Sequence, residues 1–173
     1  FFTLELNQIP DDALDEKLDG RVDGIEVGIP RVVVLATDAF DKFMEENDLW
    51  ELARSDPPDD RIAHAFQRAG LPTEVLGDLR AVAAEVQRPL AVRSSSMLED
   101  ALEQPFAGVY ETKMIPNNQP DADSRYKRLS EAVKLVYAST FFRSARTYRK
   151  AAGIDDRDEK MAVMIQEIVG ERH

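Results

Sequence analysis

Four short runs of strand character lie far apart in this chain, and the stretches between them carry helical periodicity. The runs occupy residues 29–36 (Ile-Pro-Arg-Val-Val-Val-Leu-Ala), 89–94 (Pro-Leu-Ala-Val-Arg-Ser), 108–114 (Gly-Val-Tyr-Glu-Thr-Lys-Met) and 160–170, the last strongly apolar. Runs this short are buried or half-buried strands rather than helices. The third alternates apolar and polar residues and predicts a half-exposed strand. Strands so far apart in sequence pair only if the helices between them pack back onto the sheet, so the chain must mix both element types around one core.

The helical stretches have their own punctuation. Thr37 or Asp38 is positioned to cap a helix that carries Phe40, Phe43 and Met44 on one face. Asp56-Pro57-Pro58-Asp59-Asp60 reads as a turn, because two prolines remove donors and hold the chain extended. Residues 61–87 read as two short helices interrupted by Gly70-Leu71-Pro72, with Pro72-Thr73-Glu74 opening the second. A polar loop with Pro116 and Pro120 precedes the longest helical pattern, in which Leu129, Val133, Val136, Tyr137, Phe141, Ala145 and Tyr148 recur at three- and four-residue spacing. Gly153 stops that pattern, and a break is expected near Ser139-Thr140. Aromatic residues at such spacing read as core, and Trp50 as the closure of a small helical subdomain over about residues 38–87.

Composition limits the function classes. The 173 residues, 43% hydrophobic, are enough to bury a real core. With 33 acidic against 22 basic side chains the formal charge is −11, which repels phosphate backbones and anionic lipid surfaces and makes nucleic acid and membrane poor partners. A nucleotide needs only a local nest of amides and one or two cations, so the net charge leaves it open. There is no cysteine, hence no disulfide framework and no thiolate metal site. No apolar run approaches the roughly 20 residues of a membrane span, and the chain is read as cytoplasmic. It starts on Phe1-Phe2 without an initiator methionine and reads as a truncated or partly ordered chain, with residues 1–28 a lead-in segment.

Two acidic runs, one with Asp11, Asp12, Asp15 and Asp19 and one with Asp155, Asp156 and Asp158, lack the central glycine and distal glutamate of a calcium loop and read as solvated surface. His64 and His173 match no metal or catalytic motif.

The stretch richest in chemistry is Val92-Arg93-Ser94-Ser95-Ser96-Met97-Leu98-Glu99-Asp100, followed by Phe106-Ala107-Gly108-Val109-Tyr110-Glu111-Thr112. A guanidinium leaving a strand into a serine-rich turn can fork two hydrogen bonds onto phosphate oxygens while hydroxyls and amides add more, and Gly108 lets backbone approach a ligand. The residues alone also allow a plainer account, in which Ser96 with Glu99 is a capping box and Arg93 pairs with a carboxylate.

These residues resemble the signature of the ATP-binding domain of the pyruvate phosphate dikinase and phosphoenolpyruvate synthase family. The resemblance continues through Val136-Tyr137-Ala138-Ser139 with Ala145-Arg146-Thr147-Tyr148-Arg149, and through the stretch Met161-Ala162-Val163-Met164-Ile165-Gln166-Glu167-Ile168-Val169-Gly170. It covers residues 29–173 as a partial domain and shifts the balance at Arg93 toward phosphate. It implies an α+β, ATP-grasp-like fold in which ATP lies between two lobes. By resemblance Arg93 contacts the ATP phosphates and Thr112 lies near them, while Gln166, Glu167 and Val169 form the hinge that reads adenine. The alternative for that hinge is a plain core strand with Gln166 turned outward.

The implied reaction moves phosphoryl from ATP to a histidine on another domain and then to pyruvate, giving phosphoenolpyruvate. Related proteins use glucans, water or antibiotics as acceptor. The family's Gly-Gly-Lys triplet does not occur in this sequence. Its Mg2+ ligands are expected outside the chain, and the chain alone is expected to be inactive. A non-catalytic nucleotide- or protein-binding module on the same fold is the alternative.

Overall fold

The computed structural model describes residues 3–5, 31–96, 108–154 and 159–170. The acidic runs read as surface, the Met97, Leu98, Glu99, Asp100, Phe106 and Ala107 part of the signature, Ile29-Pro30 and His173 lie outside the described residues.

The architecture is α+β. Five strands are described: β1 (Thr3–Glu5), β2 (Val32–Leu35), β3 (Leu90–Ser96), β4 (Thr112–Ile115) and β5 (Met161–Glu167). They form one sheet in the order β1-β2-β5-β3-β4, and every pairing is antiparallel. The last strand in sequence is thus central, held on one side by β2 and on the other by the whole length of β3. Residues 3–5 of the lead-in segment extend the sheet at its β2 edge.

The helices are α1 (Thr37–Glu46), α2 (Leu49–Arg54), α3 (Asp59–Arg68), α4 (Thr73–Glu85), α5 (Ala122–Ser139) and α6 (Arg143–Ala152). Phe40, Phe43 and Met44 of α1 are fully buried, as their spacing predicts. The helix starts at Thr37 itself, with Ala36 at the capping position and no side-chain cap; Asp38 instead accepts from the N–H of Ala39. The sequence pattern gave no sign of α2, which follows Asp48 in the left-handed region (φ 51°) and seats Trp50 against Phe40 and Phe141. The expected break in the long helix lies between Ser139 and Arg143, and Gly153, at φ 71°, closes α6 in a conformation that favours glycine. Asp121 caps α5 by accepting from the N–H of Ser124 at 2.7 Å, and that donor holds its carboxyl below the usual range.

Strand boundaries differ from the sequence reading in three places. The run at 89–94 continues to Ser96, because β5 supplies a partner for every residue from Leu90 to Ser96. The run at 160–170 leaves the sheet after Glu167. The half-exposed strand expected at 108–114 is confined to Thr112–Ile115, since Gly108 sits in a turn at φ 80° and Tyr110 is folded inward.

One apolar cluster joins sheet and helices: Val33, Leu35, Leu90, Val92, Ile115, Val163 and Ile165 from the strands meet Phe40, Phe66, Leu79, Val133, Tyr137 and Phe141 from the helices. The aromatic members touch directly, with ring centroids 5.1 Å apart for Phe40 and Tyr137 and 5.6 Å for Phe43 and Phe66. The helices over residues 37–85 therefore share their core with the sheet. Two buried polar side chains fasten the loops. Asn117 donates to the carbonyls of Val86 and Arg88, and Arg125 donates to those of Ala83, Gln119 and Pro120. Each meets the requirement that a buried donor be matched.

Candidate functional site

Successive side chains of a strand point to opposite faces, and residues directly across a ladder share a face. Applied to the register, this rule sorts the site residues. Leu90, Val92, Val163, Ile165, Val33 and Leu35 point toward the helices and are buried. The other face carries Val32 and Val34 from β2, Ala162, Met164 and Gln166 from β5, Ala91, Arg93 and Ser95 from β3, and Thr112 and Met114 from β4. Apart from Ala91, which is shielded between Gln166 and Met114, all of these are partly or fully exposed. No helix of the described residues covers them.

Three of the five residues singled out in the sequence therefore come together on one open face. Arg93 stands directly opposite Thr112 on β4 and opposite Met164 on β5. Gln166 lies across from Ala91, two positions along β3 from Arg93 on the same face. Arg93 is exposed, and no carboxylate among the described residues pairs with it. This disposes of the ion-pair account within the described part of the molecule. Of the capping-box account, Ser96 is the last residue of β3, and Glu99 lies outside the described residues.

Glu167 and Val169 are placed differently. Glu167 lies across from Leu90, on the opposite face to Gln166, and is partly exposed. Val169 lies beyond the end of β5 and is 64% exposed. The backbone N–H groups of Glu167 and Ile168 donate to the carbonyls of Arg31 and Pro89, at 3.1 and 2.9 Å. The chain is thus fastened on both sides as it leaves the sheet, and it presents an exposed apolar pair, Ile168 and Val169, immediately afterward.

Gly108 adopts a positive φ, and a Cβ built there would meet no described atom. Its backbone conformation, not crowding, calls for glycine. His64 is exposed on α3. Among the described residues no group of three or more carboxylates or imidazoles is placed to hold a metal ion. None of the described helices is long and apolar enough to cross a membrane.

The sequence that builds this face has counterparts among known proteins. A family model described as pyruvate phosphate dikinase, AMP/ATP-binding domain, matches residues 15–173. The chain belongs to this family. It is 32% identical over 164 residues to a rifampicin phosphotransferase of Streptomyces sviceus, an alignment that takes in 86% of the chain and 18% of that protein. It is 35% identical over 88 residues to a phosphoenolpyruvate synthase of Aeropyrum pernix, covering 50% of the chain and 10% of that protein. The chain thus spans less than a fifth of either relative. As a member of the pyruvate phosphate dikinase AMP/ATP-binding family the chain is part of a domain of the ATP-binding type.

Two buried sets near the site were not foreseen from sequence. The phenol of Tyr110 donates to Glu159 at 2.9 Å and accepts from Arg149 at 3.4 Å, with Arg149 and Glu159 at 0% and 2% exposure. Burial, and then the neighbouring Glu159 carboxylate, push the Tyr110 phenol well above its ordinary value. Beside it, the N–H of Glu111 donates to the hydroxyl of Ser139 at 3.1 Å, and that hydroxyl donates to the carbonyl of Val136 at 2.7 Å. The signal available in sequence was that Ser139 and Arg149 fall inside motifs of the family resemblance.

Proposed function

We propose that this chain holds ATP along the open face of the sheet, with the phosphates at Arg93 and Thr112, and that the adenine sits where β5 leaves the sheet, at Gln166, Glu167 and Val169. The observation that carries this reading is the register that sets Arg93 across from Thr112, with no carboxylate of the described residues to neutralise the guanidinium. A guanidinium beside a hydroxyl supplies several donors to phosphate oxygens, and the planar fork suits them. The N–H groups of Glu167 and Ile168 are engaged within the sheet, so backbone donation to a purine edge falls to Val169, with the Gln166 side chain as a further polar contact. Ile168 and Val169 provide apolar surface for the ring.

On this reading the chain is one lobe of an ATP-grasp-like domain over residues 29–173. The face that is open here is the one a second lobe closes over. The parent protein is an ATP-dependent phosphotransferase of dikinase type, passing phosphoryl through a histidine on another domain to an acceptor. Mg2+ would offset phosphate charge during transfer, held by groups outside this chain. The two relatives differ in name, one a rifampicin phosphotransferase and the other a phosphoenolpyruvate synthase, while the ATP reading rests on the family model. Pyruvate is the acceptor expected from the family signature.

The test is calorimetric titration of the full-length protein with magnesium-ATP, beside Arg93→Ala. Loss of affinity in the variant with an unchanged melting temperature supports the site; equal affinity in both proteins overturns it.

A further inference from the structure

We propose that the buried Arg149–Tyr110–Glu159 set, together with the Ser139 hydroxyl, is a positioning device that holds Thr112 opposite Arg93 and so sets ATP affinity without touching ATP. The inference rests on the phosphate reading of Arg93 and Thr112 given above.

The need for such a device follows from β4 itself. It is four residues long and, among the described residues, lies at the sheet edge and pairs with β3 alone. Register is normally enforced by a buried face, because a slip of one residue moves every side chain to the other side. In β4 only Ile115 is buried, while Thr112, Lys113 and Met114 are all exposed. Patterning within the strand therefore does little to decide whether Thr112 or Lys113 faces the same way as Arg93.

The anchors lie just outside the strand. After it, Asn117 is tied to the carbonyls of Val86 and Arg88. Before it, Tyr110 is held at its phenol by Arg149 from the last turns of α6 and by Glu159 from the approach to β5, and Glu111 is held at its N–H by Ser139 at the end of α5. Three separate parts of the fold thus converge on the two residues that immediately precede Thr112. Arg149 is fully buried and Tyr110 is 6% exposed, so neither is placed to meet a ligand on the open face. Any effect on ATP must pass through the backbone into Thr112.

A double-mutant cycle in the full-length protein tests this, with magnesium-ATP titration and thermal unfolding measured on each variant. Tyr110→Phe removes the phenol oxygen and keeps the ring. It is expected to weaken ATP binding on the order of tenfold in the wild-type background and to have no further effect in Thr112→Ala, a coupling typical of residues acting through one another. Its effect on melting temperature should be the same in both backgrounds, as for any structural contact. Ser139→Ala should show the same pattern and serves if Tyr110→Phe fails to fold. Unchanged ATP affinity in these variants, or an equal loss with and without Thr112, overturns the proposal. If Arg93→Ala and Thr112→Ala themselves bind ATP like wild type, the phosphate reading falls and takes this inference with it. If those two weaken binding while Tyr110→Phe and Ser139→Ala do not, only the positioning role is lost.

Discussion

Ile165 and Met164 are consecutive residues of β5, yet Ile165 is 2% exposed beneath the helices while Met164 stands partly exposed on the face that carries Arg93 and Thr112. The same division runs along β3, where Val92 is fully buried and Arg93 is exposed. On the helix side, aromatic and aliphatic side chains interlock, and the buried polar groups Asn117, Arg125 and Tyr110 each have named partners. On the open side, side chains of mixed character lie on an antiparallel surface, with a cation that no described carboxylate offsets. An antiparallel sheet with one packed face and one free face is a common arrangement. The contrast teaches where stability and function separate: residues one position apart should respond to mutation in opposite ways.

The sharpest way to break the comparison is to truncate the two neighbours. Ile165→Ala should cost about 2–5 kcal/mol by removing buried methyl groups and leaving a cavity, seen as a lower midpoint in denaturant unfolding. Met164→Ala, on the same strand, should cost less than half of that. Equal losses would mean that both faces are packed.

Arg93→Ala carries the opposite expectation. Hydrogen bonds to charged groups contribute about 1.5–3 kcal/mol, so ATP affinity should fall by about tenfold or more. An exposed strand residue with no partner among the described residues contributes little to folding, so the unfolding midpoint should move by less than about 0.5 kcal/mol. A large stability loss with intact ATP binding would assign Arg93 to the scaffold.

The packed side also sets the response to alkali. Burial raises the phenols of both Tyr110 and Tyr137, with Glu159 adding to the first and Asp38 to the second. A group whose folded value is raised contributes fully below its unfolded value, about 10 for tyrosine, and that contribution is lost as pH rises further. The melting temperature should therefore fall above about pH 10, with these two of the four tyrosines ionising only as the fold opens. Tyr110→Phe should flatten part of that fall. An early phenolate signal from all four without unfolding would contradict the burial.

The smallest effect is expected at Met114, 60% exposed on the open face. Met114→Ser should leave stability within about 0.5 kcal/mol of wild type, measured in the same denaturant series. A larger loss would reveal that the open face is covered in the full-length protein.

The sequence by itself determined the parts. Apolar spacing located Phe40, Phe43, Met44 and the long α5–α6 stretch, Gly153 marked its end, and the signature around Arg93 led to the family. These are local signals, carried by periodicity, turn chemistry and residue identity within a few positions. The tertiary structure decided the rest. A period of two says that Arg93 and Val92 face opposite ways, but not which of them meets the helices, nor that Thr112 comes to lie across from Arg93. That depends on β5, from the far end of the chain, inserting between β2 and β3. In the same way Tyr110 reads as one apolar position of an alternating strand. Only the meeting of α6, the approach to β5 and the entry to β4 turns it inward onto Arg149 and Glu159, because a buried arginine and a buried carboxylate must find partners and no local rule says where those partners lie.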